Sequence, residues 1–396
     1  MYLQLWEALE KSACVNVFLK SKQTQLEEYR FIKFLLLAER LTVIFLKRCM
    51  KITNIAFHFQ KKEDVLISAA GTLGKTVVYN GEDAFFQDSN IVWIDNDESK
   101  ILNDYLLYFY KTNPWIKTHG STIERLYNDN IRNITISYPE DIEEQKQIIK
   151  VLKEIDQKIE NNKQISAELE NLAKTVYDYW FLQFEFPNEE GKPYKSSGGK
   201  MVYNEELKRE IPEGWEVKRL KDLLSINKEE FTGTNAKTID LSVMPSDSIS
   251  LCELNNSDNF ETNLFTMNKG DILFGSIRPY LHKAGIAPCD GAVAGTVHSF
   301  KPFDKNDYNF CLITICHKNM FDYAVNNSKG TKMPVIDTDR LLEYPIPYSE
   351  KIITEFNKID ICNTICHNVM ENNQLASLRD WLLPMLMNGQ ISFVEK

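Results

Sequence analysis

The sequence has no CxxC pair, no signal-peptide pattern and no apolar run long enough to span a bilayer. Its eight cysteines are dispersed, and their spacings fit neither a zinc site nor a small disulfide-bonded secreted domain. The most apolar run, residues 34–46, is interrupted by Glu39 and Arg40. We therefore expect reduced cysteines, no metal site, no membrane partner and a cytoplasmic location.

Positive charge is also scarce, with 46 Lys and Arg against 56 Asp and Glu, so the formal net charge is −10. This average argues mildly against nucleic acid as a partner, although a local basic face is compatible with it. At 396 residues the chain is long enough for two or three domains, each with its own core.

No catalytic constellation is evident. His119, His282 and His298 have neither a nucleophile nor a carboxylate at a recognisable spacing. One loop, Ala69–Thr76, fits a relaxed phosphate-loop pattern after a predicted strand. A phosphate loop must open a helix, whereas the residues that follow, Val77–Gly81, are β-branched and lead into a turn. A nucleotide-binding enzyme that uses Ala69–Thr76 is therefore an alternative that the pattern disfavours.

Residues 142–181 predict one long helix, uninterrupted by proline or glycine. Apolar residues recur at a spacing of four and three, with Asn162 and Ser166 at the intervening positions; the apolar members are Ile148, Leu152, Ile155, Ile159, Leu169, Ala173, Val176 and Trp180. This spacing is typical of a coiled-coil seam. A helix of about 40 residues would be roughly 60 Å long and needs a partner to cover its seam.

The two halves of the chain form an internal repeat at an offset of about 206 to 211 residues. The segment 64–68 (Asp-Val-Leu-Ile-Ser) matches 271–275 (Asp-Ile-Leu-Phe-Gly), and 129–138 matches 339–348. A second long helix is predicted from Glu350 to Asn388, and its seam consists of Ile352, Phe356, Ile359, Cys362, Cys366, Val369, Asn373 and Ala376. Both helices contain Glu-Asn-Asn, which makes Asn162 and Asn373 candidates for setting the helix register.

These patterns predict five segments. They are a first domain (1–141), a long helix (142–186), a polar linker rich in Gly, Ser and Pro (187–214), a second domain (215–349), and a second long helix with a tail (350–396). Because each helix carries a seam, we expect the two helices to pack on each other.

Polar side chains in equivalent loops of the two halves are candidates for ligand recognition, with a solvated loop as the alternative for any one of them. Arg and Lys can contact guanine or phosphate, and Asn or Gln can bind adenine. The candidates are Lys75, Thr76, Gln87, Ser89, Asn90 and Arg125 in the first half, and Arg278, Tyr280, His282, Lys283, Thr331 and Lys332 in the second.

Several stretches together resemble the specificity (S) subunit of type I restriction–modification enzymes. They are 211–220 (Ile-Pro-Glu-Gly-Trp-Glu-Val-Lys-Arg-Leu), 271–274, the strand-to-helix junction 138–148, and 382–391 (Leu-Leu-Pro-Met-Leu-Met-Asn-Gly-Gln-Ile). The resemblance covers about residues 60 to 396. One departure is that residues 1–60 lack a counterpart of Pro212-Glu-Gly-Trp215.

The resemblance implies an α+β fold in which two mixed α/β target-recognition domains are separated by two long antiparallel coiled-coil helices, with a pseudo-twofold repeat. Each domain would read one half of a bipartite double-stranded DNA target. The helices would set the spacing and dock two methyltransferase (M) subunits, with restriction/translocase (R) subunits joining through the complex. The chain itself would be non-catalytic and bind no cofactor, because S-adenosylmethionine, ATP and Mg would be used by the partners. The charge of −10 leaves a coiled-coil adaptor without DNA function as an alternative.

Overall fold

The computed structural model describes residues 62–70, 73–81, 90–114 and 125–391, except for the side chain of Asn128. The chain divides into two compact units, Met1–Ile142 and Glu143–Lys396. Among the residues described, no helix is both long enough and apolar enough to cross a membrane.

A three-stranded antiparallel sheet forms the centre of the described part of the first unit. Its central strand is buried because Val65, Leu66 and Ile67 are all apolar and covered on both faces. The elements are β1 (Val65–Ser68), β2 (Thr76–Val78), β3 (Ile91–Trp93), α1 (Asn103–Lys111) and α2 (Asn128–Arg132), and the strand order is β2-β1-β3.

The second unit begins within α3 (Ile142–Tyr177) and contains two four-stranded sheets, with orders β12-β11-β14-β7 and β10-β13-β8-β9. After α3 a π-helical turn covers Asp178–Leu182. The remaining elements are β4 (Met201–Asn204), β5 (Arg209–Pro212), β6 (Glu216–Arg219), α4 (Leu220–Leu223), β7 (Leu224–Asn227), β8 (Lys237–Ile239), β9 (Asn255–Asn256), β10 (Leu264–Met267), β11 (Ile272–Gly275), β12 (Ala284–Ile286), β13 (Gly291–Ala294), β14 (Val297–Pro302), α5 (Tyr308–Cys316), α6 (Lys318–Asn327), α7 (Thr338–Leu342), β15 (Pro345–Tyr348), α8 (Glu350–Phe356) and α9 (Ile361–Met387).

The predicted internal repeat is present in the strand topology. In each unit a buried central strand, β1 or β11, pairs antiparallel with the next strand along the chain and with a later strand on its other edge. Leu66 lies opposite Trp93 in the first unit, and its counterpart Leu273 lies opposite Ser299 in the second. A short helix, α2 or α7, follows at the matching position in each unit.

The helices α3 and α9 pack antiparallel to each other. Asp156 pairs with Arg379 at 2.8 Å, whereas Ser166, further along α3, accepts a hydrogen bond from Asn368, earlier in α9. No residue of the predicted α3 seam is exposed, and the seam members Ile148, Leu152 and Ala173 are at most 2% exposed.

The sequence predicted a continuous second long helix, but the structure breaks it between Phe356 and Ile361. The break is stabilised by Asn309 of α5, whose buried amide donates to the carbonyl oxygens of Phe356 (3.3 Å) and Ile359 (2.6 Å). Asp360 then caps α9 by accepting from the Asn363 backbone N–H. The helix restarts because a distant side chain satisfies the carbonyl groups that the break leaves unpaired.

The predicted linker 187–214 is folded and lies within the second compact unit, which begins at Glu143. Strands β4 and β5 form an antiparallel hairpin within it. Tyr194 stacks on Phe186 with ring centroids 4.6 Å apart, and Phe186 stacks on Trp215 at 5.2 Å. Gly214 adopts a φ of +82°, which glycine tolerates without strain. This turn directs Trp215 onto the aromatic cluster at the end of α3.

Candidate nucleic-acid interface

In the second unit, two loops beyond the end of β11 form a single tip, which we call the carboxy-terminal tip (residues 276–283 and 329–336). An isolated antiparallel bridge joins Ile277 to Val335, and the Arg278 backbone N–H donates to the Pro334 carbonyl at 2.7 Å. Ile336 is buried and its N–H donates to the Ser276 carbonyl at 3.0 Å. The structure thus joins the loop that carries the predicted residues Arg278, Tyr280, His282 and Lys283 to the loop that carries Thr331 and Lys332.

A tight turn at Pro279–Leu281 presents this tip. Both residues that flank the turn, Arg278 and His282, have a φ of 51°, in the left-handed region that non-glycine residues rarely adopt. The His282 ring stacks on Phe321 with centroids 4.6 Å apart, and its Nδ1 lies 2.7 Å from the Asp247 carboxylate. These two contacts hold the turn in its conformation.

The predicted contact residues of the tip face in two directions. Arg278, Tyr280, Thr331 and Lys332 are exposed, with Tyr280 at 50%. Neither cation forms an ion pair with any residue that the structure describes. By contrast, His282 and Lys283 are half-buried; Lys283 Nζ donates to the Leu241 carbonyl. The outward set supplies charge and hydrogen-bond donors, while the inward pair supports the loop.

The first unit has a corresponding tip, which we call the amino-terminal tip (described residues 69–70, 73–76, 90 and 125–126). An isolated antiparallel bridge joins Ala70 to Arg125, and the Leu126 N–H donates to the Ala69 carbonyl at 2.8 Å. The Ala69 N–H in turn donates to the Asn90 carbonyl. Because the Ser68 N–H also donates to the Lys75 carbonyl at 2.8 Å, the predicted positions 75, 90 and 125 lie around residues 68–70.

Lys75 is exposed at this tip, and Thr76 begins β2, where it lies opposite Ile67. The loop thus leads into a strand and not into the helix that a phosphate loop requires. This geometry removes the helix N-terminus on which the nucleotide-binding alternative depends. Gln87 and Ser89 lie outside the described residues, and their predicted contacts stay predictions.

Several tip residues were not among the sequence-based candidates. Lys329 is exposed and pairs with Asp337 at 2.9 Å, and Met333 and Val335 are exposed apolar residues. His298 on β14 lies behind the tip, and its Nε2 is 3.2 Å from the Thr338 hydroxyl. The internal repeat could have indicated Val335 as a tip residue, because Val335 is at the position equivalent to the predicted contact residue Arg125.

The predicted register residue Asn162 is 1% exposed and lies between the helices. Its side-chain amide donates to Glu371 (2.6 Å) and Asn372 (3.0 Å), and its backbone carbonyl accepts from the Asn368 side chain. The Asn162 amide, assisted by Lys158, lowers the pKa of Glu371.

Asn373, the other predicted register residue, does not meet Asn162. Its Nδ2 atom is buried without a hydrogen-bond partner among the residues described. The polar contacts of Asn162 are made instead by the neighbouring Glu371 and Asn372 and by Asn368. In the described part of the chain, no cluster of three or more His, Cys, Asp or Glu side chains could hold a metal ion.

Comparison with known proteins agrees with a duplicated chain. The family described as type I restriction modification DNA specificity domain matches twice, over residues 12–171 and 212–364. The first match includes most of the amino-terminal region that lacks the Pro-Glu-Gly-Trp pattern.

Among individual relatives, a putative type I restriction enzyme specificity subunit of Haemophilus influenzae is 53% identical over 96 residues. That alignment spans 24% of this chain and 25% of the relative, about a quarter of its length. The MjaIX specificity subunit of Methanocaldococcus jannaschii is 29% identical over 324 residues, which cover 74% of this chain and 70% of the relative.

Among solved structures, the type I restriction–modification S subunit from M. genitalium is similar, with 15% identity and a TM-score of 0.47. The alignment covers 83% of this chain and 84% of that one. With two family matches that together span well over half of its length, the chain belongs to the family of type I restriction–modification DNA specificity subunits.

Proposed function

We propose that the chain is the non-catalytic DNA-recognition subunit of a type I restriction–modification complex, and that its two tips each read one half of a bipartite double-stranded target. The observation that carries this proposal is the repeated construction of the tips. Ala69–Leu126 and Ser276–Ile336 form the same backbone hydrogen bond at equivalent positions, and each tip presents a lysine or arginine to solvent.

The side chains of the tips suit duplex DNA. Lysine and arginine neutralise phosphates, and arginine can also bind guanine through two hydrogen bonds in the major groove. Although the net charge is −10, Lys75, Arg278 and Lys332 are exposed at the tips, so local cations coexist with an acidic average. Loops on a fixed scaffold can differ between relatives and so change the target without changing the fold.

The antiparallel helices α3 and α9 are proposed to form the coiled coil that sets the distance between the two half-sites. At 36 and 27 residues they are long for helices of a globular protein. Their outer faces expose large apolar side chains that partner subunits could cover, namely Ile165, Leu172, Leu378 and Trp381. We propose that two methyltransferase subunits dock there and that restriction/translocase subunits join through them. S-adenosylmethionine, ATP and Mg would be used by these partners and not by this chain.

Genome-wide mapping of methylated bases tests the proposal in a host that carries the chain with its methyltransferase partners. We expect a two-part motif with a fixed gap, which disappears when the chain is deleted. Arg278→Ala should relax or change one half of the motif and leave the other half intact, because Arg278 belongs to one tip. Methylation at a contiguous motif, or methylation that does not depend on this chain, would contradict the proposal. An assembled complex without salt-dependent, sequence-specific DNA binding would favour the adaptor without DNA function.

A further inference from the structure

The carboxy-terminal tip exposes large apolar side chains among its polar ones. Tyr280 and Met333 are each 50% exposed, and Leu281 and Val335 are each 36% exposed. All four lie on the two segments joined by the Ile277–Val335 bridge. An exposed apolar group rimmed by polar residues commonly marks an interaction surface. These residues are therefore available for apolar contacts with a partner.

The surface is held in place before any partner binds. The bridge and the Arg278–Pro334 hydrogen bond join the two segments, and the His282 ring is fixed by Phe321 and Asp247. Because consecutive Cα atoms lie about 3.8 Å apart, the backbones of the four apolar residues fall within less than about 20 Å.

The charge around these side chains favours DNA over an apolar protein groove. Arg278 and Lys332 are exposed and unpaired within the described part of the chain, and each stands next to or within two residues of an exposed apolar residue. Lys329 adds a third cation, although Asp337 neutralises part of its charge at 2.9 Å. Cations that flank an apolar tip match a surface in which phosphates border a groove with apolar groups on its floor.

In the major groove of B-DNA, the distinctive apolar group on a base edge is the C5-methyl group of thymine. We propose that the carboxy-terminal tip recognises thymine in the major groove through this methyl group, with Met333 as the contact and Arg278 and Lys332 on the flanking phosphates or guanine. The inference rests on the proposed function. It predicts that the half-site read by the second unit contains a thymine whose C5-methyl group contributes to binding.

Replacement of thymine by deoxyuridine tests the inference, because it removes only the C5-methyl group. The full-length chain, assembled with its methyltransferase partners, is bound to duplexes that carry the mapped bipartite target. Each thymine in both halves is replaced in turn, and affinity is measured by competition. The loss of one buried methyl contact should weaken binding about fourfold at one or two thymines of a single half-site. Uracil and thymine are alike in the minor groove, so an apolar wedge inserted there would show no such loss.

Protein variants connect the effect to the tip. Met333→Gln keeps the length of the side chain but should bind thymine and uracil duplexes equally at the sensitive position. The matched control is Phe303→Gln: Phe303 is 67% exposed but follows β14 at the end away from the tip, so discrimination should be retained. If both variants discriminate like the wild type, Met333 is not the contact and the inference is wrong.

Two results separate this inference from the proposed function. Thymine readout is overturned, while DNA recognition stands, if the wild-type complex binds the target better than scrambled DNA but its affinity is unchanged by every uracil replacement. If the complex does not distinguish target from scrambled DNA at all, the proposed function itself fails.

Discussion

At the carboxy-terminal tip, His282 has structural contacts that residue type alone does not indicate. The sequence suggested a DNA contact, because histidine stands beside Arg278 and Tyr280 in a loop. In the structure its ring is stacked on Phe321 and bonded to Asp247, and its backbone adopts a left-handed conformation. No local pattern could predict this, since Asp247 and Phe321 lie more than thirty residues away on either side.

His298, behind the tip, leads to a prediction about pH. Burial lowers the pKa of His298, and hydrogen bonding to the Ile336 backbone only partly opposes this. The unfolded chain binds a proton near pH 6.5, whereas the folded protein holds the imidazole neutral until a lower pH. The stability that this group contributes is therefore complete above about pH 7 and is lost as the pH falls through 6.5 towards the folded pKa.

We expect His298→Gln to reduce the loss of unfolding free energy between pH 7.5 and 5.5, measured by urea denaturation. Gln retains the capacity to bond Thr338, which lies 3.2 Å from the imidazole. Identical pH dependence in the wild type and the His298→Gln variant would contradict the assignment.

At the scale of elements, the long helix α3 and the repeated strands were predictable because their signals are local. The α3 seam recurs with a regular period, and the predicted segment 142–181 corresponds to a helix at Ile142–Tyr177 followed by a π-helical turn. Strand β1 was identified because four apolar or small residues follow Asp64 and end in a loop. Such patterns depend on neighbouring residues only.

The break before α9 and the β4–β5 hairpin were not predictable in the same way. The second seam continues through Ile359, so its period gave no sign that Asn309 would bond the carbonyl groups at 356 and 359. The segment 187–214 is rich in turn residues, but Tyr194 anchors it to Phe186 and the strands pair. In both cases a contact with a residue outside the segment decides the local structure.

The helix pair itself makes a testable prediction at Asn162. Asn162→Leu removes the hydrogen bonds to Glu371 and Asn372 and places an apolar side chain against them. We expect the free energy of unfolding to fall by about 1–3 kcal/mol, because the polar partners stay between the helices without the amide. Denaturant titration of the full-length chain measures the change.

The adjacent Asn161 provides the control for this prediction. It is exposed on the same helix and bonds only to Gln157 among the contacts described. Asn161→Leu should change stability by less than about 0.5 kcal/mol. If the two variants lost the same stability, the polar contacts of Asn162 would not matter to the helix pair.

For the whole molecule, the duplicated fold and the antiparallel helices are consistent with the proposed DNA-recognition subunit, in which the helix pair sets the distance between two half-sites. The family matches cover both halves, and the tips share one backbone design although their exposed side chains differ. The sequence could predict this organisation from the repeat, but it could not identify which tip residues face outward. That depends on the Ile277–Val335 and Ala70–Arg125 bridges, which join segments more than fifty residues apart.

We propose that α3 and α9 set the gap between half-sites. Removing seven residues from α3 and the seven facing residues from α9 preserves the seam period and shortens the pair by about 10 Å. Methylation mapping of a host carrying this variant should show the same two half-sites with a gap shorter by about three base pairs, given a rise of roughly 3.4 Å per pair. A variant that still methylates its target at the wild-type gap would show that the helix pair does not set the spacing.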